Sequence, residues 1–293
     1  SRSTASIRPR QFVLRPPLPD VMDASRGTVN LTEYRLYSAP ISEELVRSWG
    51  SISQPGHMYF AVAAYIVFVF FLGPKFMEKR KPFVLRKTIM AYNAMQIVWN
   101  VYIVYLYYEL MGSQSLTPWL NVCFPISAAQ NFKDGTTIKL TEGMKVYYVN
   151  KIVDLMDTVF FILRKKDSQI TFLHLFHHVT MVVSTYISVM VIREEMSAVI
   201  ATLNSVVHVI MYAYYLLSGL GPGMQKYLWW KKYLTTFQIG QFVIQLTLLA
   251  LLKIQQCECD SKFFLMWGVN IAAFLTMFVQ FYRDSYKKKP KRV

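Results

Sequence analysis

The amino-acid sequence predicts an all-α integral membrane protein with seven transmembrane helices. Of its 293 residues, 54% are hydrophobic and 17% are charged. Apolar stretches of about 20 residues, the length that a helix needs to cross a bilayer, recur along the chain. Basic residues are concentrated in alternate loops, as the positive-inside rule expects of a polytopic protein. The seven predicted spans are residues 55–73, 89–110, 145–163, 171–192, 197–217, 234–252 and 263–282.

The spans divide the chain into three parts. The N-terminal segment, residues 1–53, is polar and is assigned to the lumenal side, and its Pro, Ser and Arg content predicts poor order until about residue 40. Residues 54–284 are predicted to form one membrane domain, because the loops between the spans are too short for a second, soluble domain. A basic tail, residues 285–293, follows the last span and is assigned to the cytosol.

The net charge of +15 is explained by membrane topology and does not indicate nucleic-acid binding. Residues 75–87 and 283–292 carry six Lys or Arg each, whereas the alternate loops carry few. This asymmetry places the C-terminus in the cytosol and, with an odd number of spans, the N-terminus in the lumen. Cys123, Cys257 and Cys259 then lie in lumenal loops, where an oxidising compartment permits a disulfide between Cys123 and one of the other two.

Polar side chains recur at helical spacing on four of the predicted spans. A single polar stripe on a membrane helix is explained by hydrogen bonds between helices. Several stripes that include formal charges instead predict a common polar interior, because charged groups avoid lipid. The stripes are Asn93, Gln96 and Asn100; Lys151, Asp154 and Asp157; Asn204 and His208; and Thr235, Gln238, Gln241 and Gln245.

Four of the five histidines lie in two consecutive predicted spans: His174, His177 and His178 in one HxxHH box, and His208 on the next span. Histidine is costly inside a membrane, so this concentration indicates an enzyme. The helical rise of about 1.5 Å per residue places His177, His208 and Asp157 in one layer beneath the cytosolic surface. Five basic residues are predicted to surround the mouth above this layer and to suit a polyanionic substrate: Arg164, Lys165, Lys166, Lys231 and Lys232.

The order of these motifs resembles that of the fatty acid elongases over residues 55–285. The similar motifs are Lys151-x-x-Asp154-x-x-Asp157-Thr158, the histidine box, Asn204-x-x-x-His208-x-x-Met211-Tyr212-x-Tyr214-Tyr215, and Thr235-x-x-Gln238-x-x-Gln241. The resemblance implies six helices in an inverted barrel around an acyl tunnel, with the first helix outside it. Two features depart from the family pattern: Asp154 replaces the usual Glu, and the tryptophan pair of many members is missing after the histidine box.

The resemblance also implies a reaction and a location. The expected enzyme is an acyltransferase of the endoplasmic reticulum membrane, a very-long-chain 3-oxoacyl-CoA synthase. It would condense an acyl-CoA with malonyl-CoA to a 3-oxoacyl-CoA, CO2 and CoA, the first step of fatty acid elongation. The expected partners are these substrates, the lipid bilayer, other enzymes of the elongation cycle and further copies of the chain. No cofactor is expected.

The residues themselves are suited to such chemistry. No cysteine lies within a predicted span, so neutral imidazole is the candidate nucleophile towards a thioester, and His177 is preferred over His208. Asp154 and Asp157 are expected to hold the second ring nitrogens of these imidazoles. The other box histidines, His174 and His178, are candidate proton carriers or orienting groups.

Further polar residues are candidates for contact with the substrates. Lys151 either neutralises the buried carboxylates or binds the malonyl carboxylate, and the sequence leaves both roles open. Donors to a developing oxyanion or enolate are expected among Asn204, Tyr212, Tyr215, Gln238 and Gln241.

Two other classes of protein share some of these features. Membrane metallo-oxidases of the desaturase and hydroxylase type also carry HxxHH boxes, but they hold their metals with more histidines than this chain offers. A seven-helix transporter could use intramembrane Lys and Asp as a proton or ligand pathway. Such a transporter has no special need for a histidine box, so the enzyme is the favoured interpretation, without a metal.

Overall fold

The computed structural model describes residues 43–111, 136–194, 196–257 and 259–286, and these residues form helices joined by short turns. The helices are α1 (Glu43–Ser48), α2 (Pro55–Met77), α3 (Arg86–Met111), α4 (Thr136–Val153), α5 (Met156–Leu163), α6 (Phe172–Ile192), α7 (Met196–Gly219), α8 (Lys231–Ile254) and α9 (Ser261–Tyr286). Helices α2 and α6 each include a π-helical turn near the C-terminal end, at Phe68–Leu72 and Ser188–Ile192.

Six of the described helices, α2, α3, α6, α7, α8 and α9, are long and apolar enough to cross a membrane. They confirm six of the seven predicted spans. The remaining prediction, residues 145–163, falls on α4 and α5, which are separated by a turn at Asp154 and Leu155. In this turn the amide of Leu155 donates to the carbonyl of Ile152, three residues earlier, at 3.2 Å. This is the spacing of a 3-10 turn, whereas an α-helical amide donates to the carbonyl four residues earlier. The interruption and the charged residues beside it exclude this segment from the apolar helices.

The end of the N-terminal segment, beyond the stretch that is predicted to be poorly ordered, is helical. Residues 43–53 form α1 and a short 3-10 turn, Gly50–Ser53, and the side chains of Val46 and Trp49 are buried. The Trp49 indole donates to Glu142 of α4 at 3.2 Å. The rest of this segment and the basic tail from residue 287 lie outside the described residues.

Helix α7 is the centre of the bundle. In its most apolar stretch 61% of the residues are buried, against 22% in α2 and in α9. It packs most extensively on α3, while α8 packs on α9. Because α7 carries polar residues towards its neighbours, the interior of the bundle is polar there, as the stripes predicted.

One of the predicted lumenal cysteines is oxidised. Cys257, in the turn between α8 and α9, is disulfide-bonded. The predicted participant Cys123 lies outside the described residues.

Candidate active site

A pocket of about 880 Å³ lies between α3, α5, α6, α7, α8 and α9. His174, His177, His178 and His208 all line it, together with Asp157. The structure therefore brings the histidine box of α6 and the histidine of α7 to one cavity, as their estimated depths predicted.

The other predicted site residues divide into two groups. Those that line the pocket are Asn204, Tyr212, Tyr215, Gln238, Gln241, Arg164 and Lys231. Those that do not line it are Lys151 and Asp154, which are buried behind the wall, and Lys165, Lys166 and Lys232, which are exposed. Of the five basic residues that were predicted to surround the mouth, only Arg164 and Lys231 therefore line the pocket.

The box histidines stack on one another. The rings of His174 and His178 are 4.2 Å apart between centroids, and those of His177 and His178 are 5.6 Å apart. The ring of His177 also contacts Phe274 of α9, at 5.0 Å. Within the described part of the chain, neither His177 nor His178 makes a side-chain hydrogen bond, so neither ring is held by a carboxylate.

The two carboxylates have partners other than the box histidines, which corrects the expectation that they orient His177. Asp157 accepts a hydrogen bond from the hydroxyl of Tyr212 at 2.9 Å. Asp154 accepts from the amide of Gln96 at 2.8 Å and from Tyr212 at 3.2 Å. Among the histidines, His208 lies nearest to Asp154, with its Nδ1 3.8 Å from Oδ2.

Lys151 and Asp154 form a buried ion pair behind the pocket. Their charged groups are 2.7 Å apart, and the residues are 1% and 3% exposed. The Lys151 ammonium also donates to Oδ1 of Asn204 at 3.2 Å and contacts Nδ1 of His208 at 3.5 Å. This position fits the charge-neutralising role of Lys151, and the lysine does not line the pocket.

A chain of side-chain hydrogen bonds that the sequence analysis did not identify holds His174. Its Nε2 is 2.8 Å from the hydroxyl of Thr158 on α5, which is in turn 2.7 Å from the hydroxyl of Tyr65 on α2. The backbone of His174 is fixed as well, because its amide donates to the side chain of Thr171, the N-cap of α6, at 3.2 Å. The box therefore begins in the first, capped turn of its helix.

Replacing Thr158 with valine is expected to lower the free energy of unfolding by about 1–3 kcal/mol, because the buried groups of Tyr65 and His174 lose a partner. The matched control is Thr185→Val on α6. Thr185 is as fully buried as Thr158, at 0% exposed, but its hydroxyl has no hydrogen-bond partner among the described residues. Denaturant unfolding in detergent measures both variants, and equal stability of the two would contradict the assigned role of Thr158.

Arg86, at the start of α3, is a further pocket residue that the sequence analysis missed. Its guanidinium donates to the carbonyl groups of Gly219 and Leu220 at 2.7 and 2.6 Å. These hydrogen bonds connect the C-terminal end of α7 to the start of α3. Nearby, Gly221 has a φ of +110°, a backbone conformation that residues other than glycine rarely adopt. A Cβ added at this position would also lie 3.2 Å from the Arg86 side chain.

No group of three or more His, Cys, Asp or Glu side chains within the described ranges is arranged to hold a metal ion. The four pocket histidines thus converge on a shared cavity and not on a common point.

The fold and the pocket define a polytopic helical membrane protein whose interior holds a histidine-lined cavity. The ELO family, described as GNS1/SUR4, matches residues 51–293. The chain is 36% identical over 245 residues to very long chain fatty acid elongase 7 of Rattus norvegicus, covering 83% of this chain and 85% of the relative. It is 34% identical over 263 residues to very long chain fatty acid elongase 4 of Homo sapiens, covering 88% and 81%.

A third relative is very long chain fatty acid elongase 7 of Drosophila melanogaster, which is 39% identical over 231 residues, or 77% of this chain and 67% of the relative. The chain belongs to the ELO (GNS1/SUR4) family.

Proposed function

We propose that this protein catalyses the decarboxylative condensation of a long-chain acyl-CoA with malonyl-CoA, which yields a 3-oxoacyl-CoA, CO2 and CoA. The observation that carries the proposal is the joining of four imidazoles in one cavity of a membrane domain. Membership of a family whose relatives are named fatty acid elongases supports the substrate class.

The first half-reaction transfers the acyl group to His177. A ring nitrogen attacks the thioester carbonyl, the carbon–nitrogen bond forms, the carbon–sulfur bond breaks, and the imidazole proton passes to the departing CoA thiolate. In the second half-reaction malonyl-CoA loses CO2, and the resulting carbanion attacks the acyl carbonyl. A carbon–carbon bond replaces the carbon–nitrogen bond, and the released imidazole takes up a proton from solvent, so the whole reaction consumes one proton.

The surroundings of His177 suit such a reactive acyl-imidazole, which water would hydrolyse. The ring lies against Phe274 at 5.0 Å and near Phe278 at 6.5 Å, and Phe242 packs on both of these phenylalanines. This aromatic wall keeps water from one side of the nucleophile. Elsewhere in the cavity lining, Gln238 and Gln241 present side-chain amides that are suited to hold substrate oxygens.

The basic residues of the pocket support a CoA substrate. Arg86, Arg164 and Lys231 line it, and phosphate groups are the anions that arginine binds best. Arg164 follows α5 and Lys231 begins α8, so two different segments contribute cations.

We further propose that residues 145–163 form a seventh crossing and that six helices surround the acyl tunnel as an inverted barrel, with α2 outside it. The charged residues of this crossing face the polar interior through the Lys151–Asp154 pair. The N-terminus is assigned to the lumen of the endoplasmic reticulum and the C-terminus to the cytosol. The disulfide at Cys257 supports an oxidising compartment beyond α8, because disulfides persist there.

The test is condensation by the purified protein in lipid vesicles, with an acyl-CoA and malonyl-CoA labelled separately in its carboxyl and methylene carbons. The expected result is equal release of the carboxyl label as CO2 and incorporation of the methylene label into a 3-oxoacyl-CoA. Uptake of acyl-CoA into the vesicles without this product would instead support a transporter. A stoichiometric transition metal in the active protein would contradict the metal-free mechanism and favour an oxidase.

A further inference from the structure

The surroundings of Lys151 determine where His208 carries its proton. Three side-chain atoms lie within hydrogen-bonding reach of the Lys151 ammonium: Oδ2 of Asp154 at 2.7 Å, Oδ1 of Asn204 at 3.2 Å and Nδ1 of His208 at 3.5 Å. Lysine is 1% exposed here, so solvent does not compete for its protons. Its three protons therefore match these three partners.

A lysine ammonium donates hydrogen bonds and accepts none, so every one of its partners must present a lone pair. The Asp154 carboxylate and the Asn204 carbonyl oxygen are acceptors by nature. The lysine itself orients the Asn204 amide, because an ammonium cannot accept from the N–H groups of a flipped amide, and the same Oδ1 also accepts from the hydroxyl of Tyr147 at 3.0 Å. Nδ1 of His208 must then be the unprotonated nitrogen, and in a neutral ring the proton resides on Nε2.

The opposite tautomer lacks a partner in this structure. With a proton on Nδ1, His208 would direct an N–H at an ammonium and would lose its hydrogen bond in a buried site. The carboxylate of Asp154 offers no replacement, because its Oδ2 is 3.8 Å from Nδ1, beyond hydrogen-bonding distance. A doubly protonated ring would place a second positive charge beside the Lys151 ammonium, and repulsion between the two charges disfavours it.

We propose that Lys151 is a positioning residue that holds His208 as the Nε2–H tautomer. His208 lines the pocket, whereas Lys151 lies behind the pocket wall. Because Nδ1 is occupied by Lys151, the protonated Nε2 is the ring nitrogen that is available to a substrate. His208 then donates a hydrogen bond to the acyl carbonyl oxygen as it becomes negative, and it has no Nε2 lone pair with which to attack. Of the two candidate nucleophiles, His177 and His208, this leaves His177. This assignment of roles rests on the proposed condensation, whereas the tautomer does not.

The tautomer is tested without substrate by NMR of the whole chain, labelled with ¹⁵N-histidine, in lipid nanodiscs. The His208 signals are identified by their loss in the His208→Gln variant. The expected spectrum shows a protonated Nε2 and an unprotonated Nδ1 for His208. A protonated Nδ1, or a mixture of tautomers, in the unmodified protein would overturn the proposal, and no lysine variant has to fold for this test.

The Lys151→Met variant asks whether the lysine causes the preference. Methionine keeps the length of the side chain but donates nothing to Nδ1. The expected spectrum of the folded variant shows a second His208 tautomer, whereas the signals of His57, outside the pocket, stay unchanged. A spectrum in which His208 keeps only the Nε2–H form would overturn the role of Lys151.

The role of His208 is tested by two substitutions that differ in hydrogen bonding. Glutamine can place an amide N–H near the position of Nε2 but cannot attack a thioester, whereas leucine offers neither. His208→Leu is expected to lower kcat by about 100-fold with little change in KM, and His208→Gln to lose less than about tenfold. Equal loss in both variants, or an acyl group trapped on His208, would overturn the donor role. If the unmodified protein does not condense acyl-CoA with malonyl-CoA, the proposed function fails, and the NMR result still decides the tautomer.

Discussion

Replacing His177 with glutamine is expected to lower kcat for condensation by on the order of 10³-fold or more, because the acyl group loses its acceptor. Glutamine fills a similar volume and remains polar, so packing against Phe274 is disturbed little. Binding of acyl-CoA is expected to persist, since the other pocket residues are unchanged. The measurement is formation of labelled 3-oxoacyl-CoA, with the thermal unfolding temperature recorded in parallel.

The matched control is His57→Gln, which removes the histidine that lies outside the pocket. Its turnover is expected to stay within about twofold of the unmodified protein, as surface and peripheral substitutions usually have small effects. A second measurement incubates the protein with acyl-CoA alone and locates any bound acyl group by mass spectrometry of peptides. Substantial turnover by the His177 variant, or acylation of another residue, would contradict the assigned nucleophile.

Breaking the ion pair between Lys151 and Asp154 is expected to cost about 3–5 kcal/mol of unfolding free energy in either single variant, Lys151→Met or Asp154→Leu. Each substitution leaves the opposite charge uncompensated in a site where both residues are almost fully buried. The double variant is expected to recover most of the loss, because it leaves no unpaired charge.

A second ion pair, Glu142 and Lys145 on α4, supplies the control. It has the same spacing along the chain but a distance of 3.4 Å, and its side chains are 42% and 30% exposed. The two corresponding single variants and the double variant at this pair, compared with the unmodified protein, are expected to give a coupling energy below about 1 kcal/mol. Unfolding in mixed micelles measures both sets, and similar coupling energies at the two pairs would show that burial of the Lys151–Asp154 pair carries no special cost.

The sequence was sufficient to predict six membrane helices and the four histidines that line the pocket. Hydropathy is a property of each segment by itself, so six spans could be recognised without knowing how they pack. The cost of polar groups in lipid makes stripes such as Asn204 and His208 indicators of the interior. For this reason the four pocket histidines could be grouped before the structure was known.

The contacts between helices could not be predicted, because they depend on how one helix is rotated and shifted against the next. Lys151 meets Asn204 and His208 across 53 and 57 residues of sequence, and spacing gives no distance over such a separation. The same holds for the link between Tyr65 and Thr158, which are 93 residues apart. The turn at Asp154 and Leu155 was missed because Lys151, Asp154 and Asp157 keep helical spacing through it.

The two sides of the pocket differ in how they are held. Towards α3, α4 and α7, directional hydrogen bonds fix Asp154, Asn204 and His208, and small displacements would break several of them. Towards α8 and α9, the wall is formed by contacts among Phe242, Phe274 and neighbouring rings, which depend little on direction. Sequence change on the aromatic side can therefore reshape the cavity beside His177 while Asp154, Asn204 and His208 keep their hydrogen bonds, so the proposed preference for acyl chains can change with little effect on these polar groups.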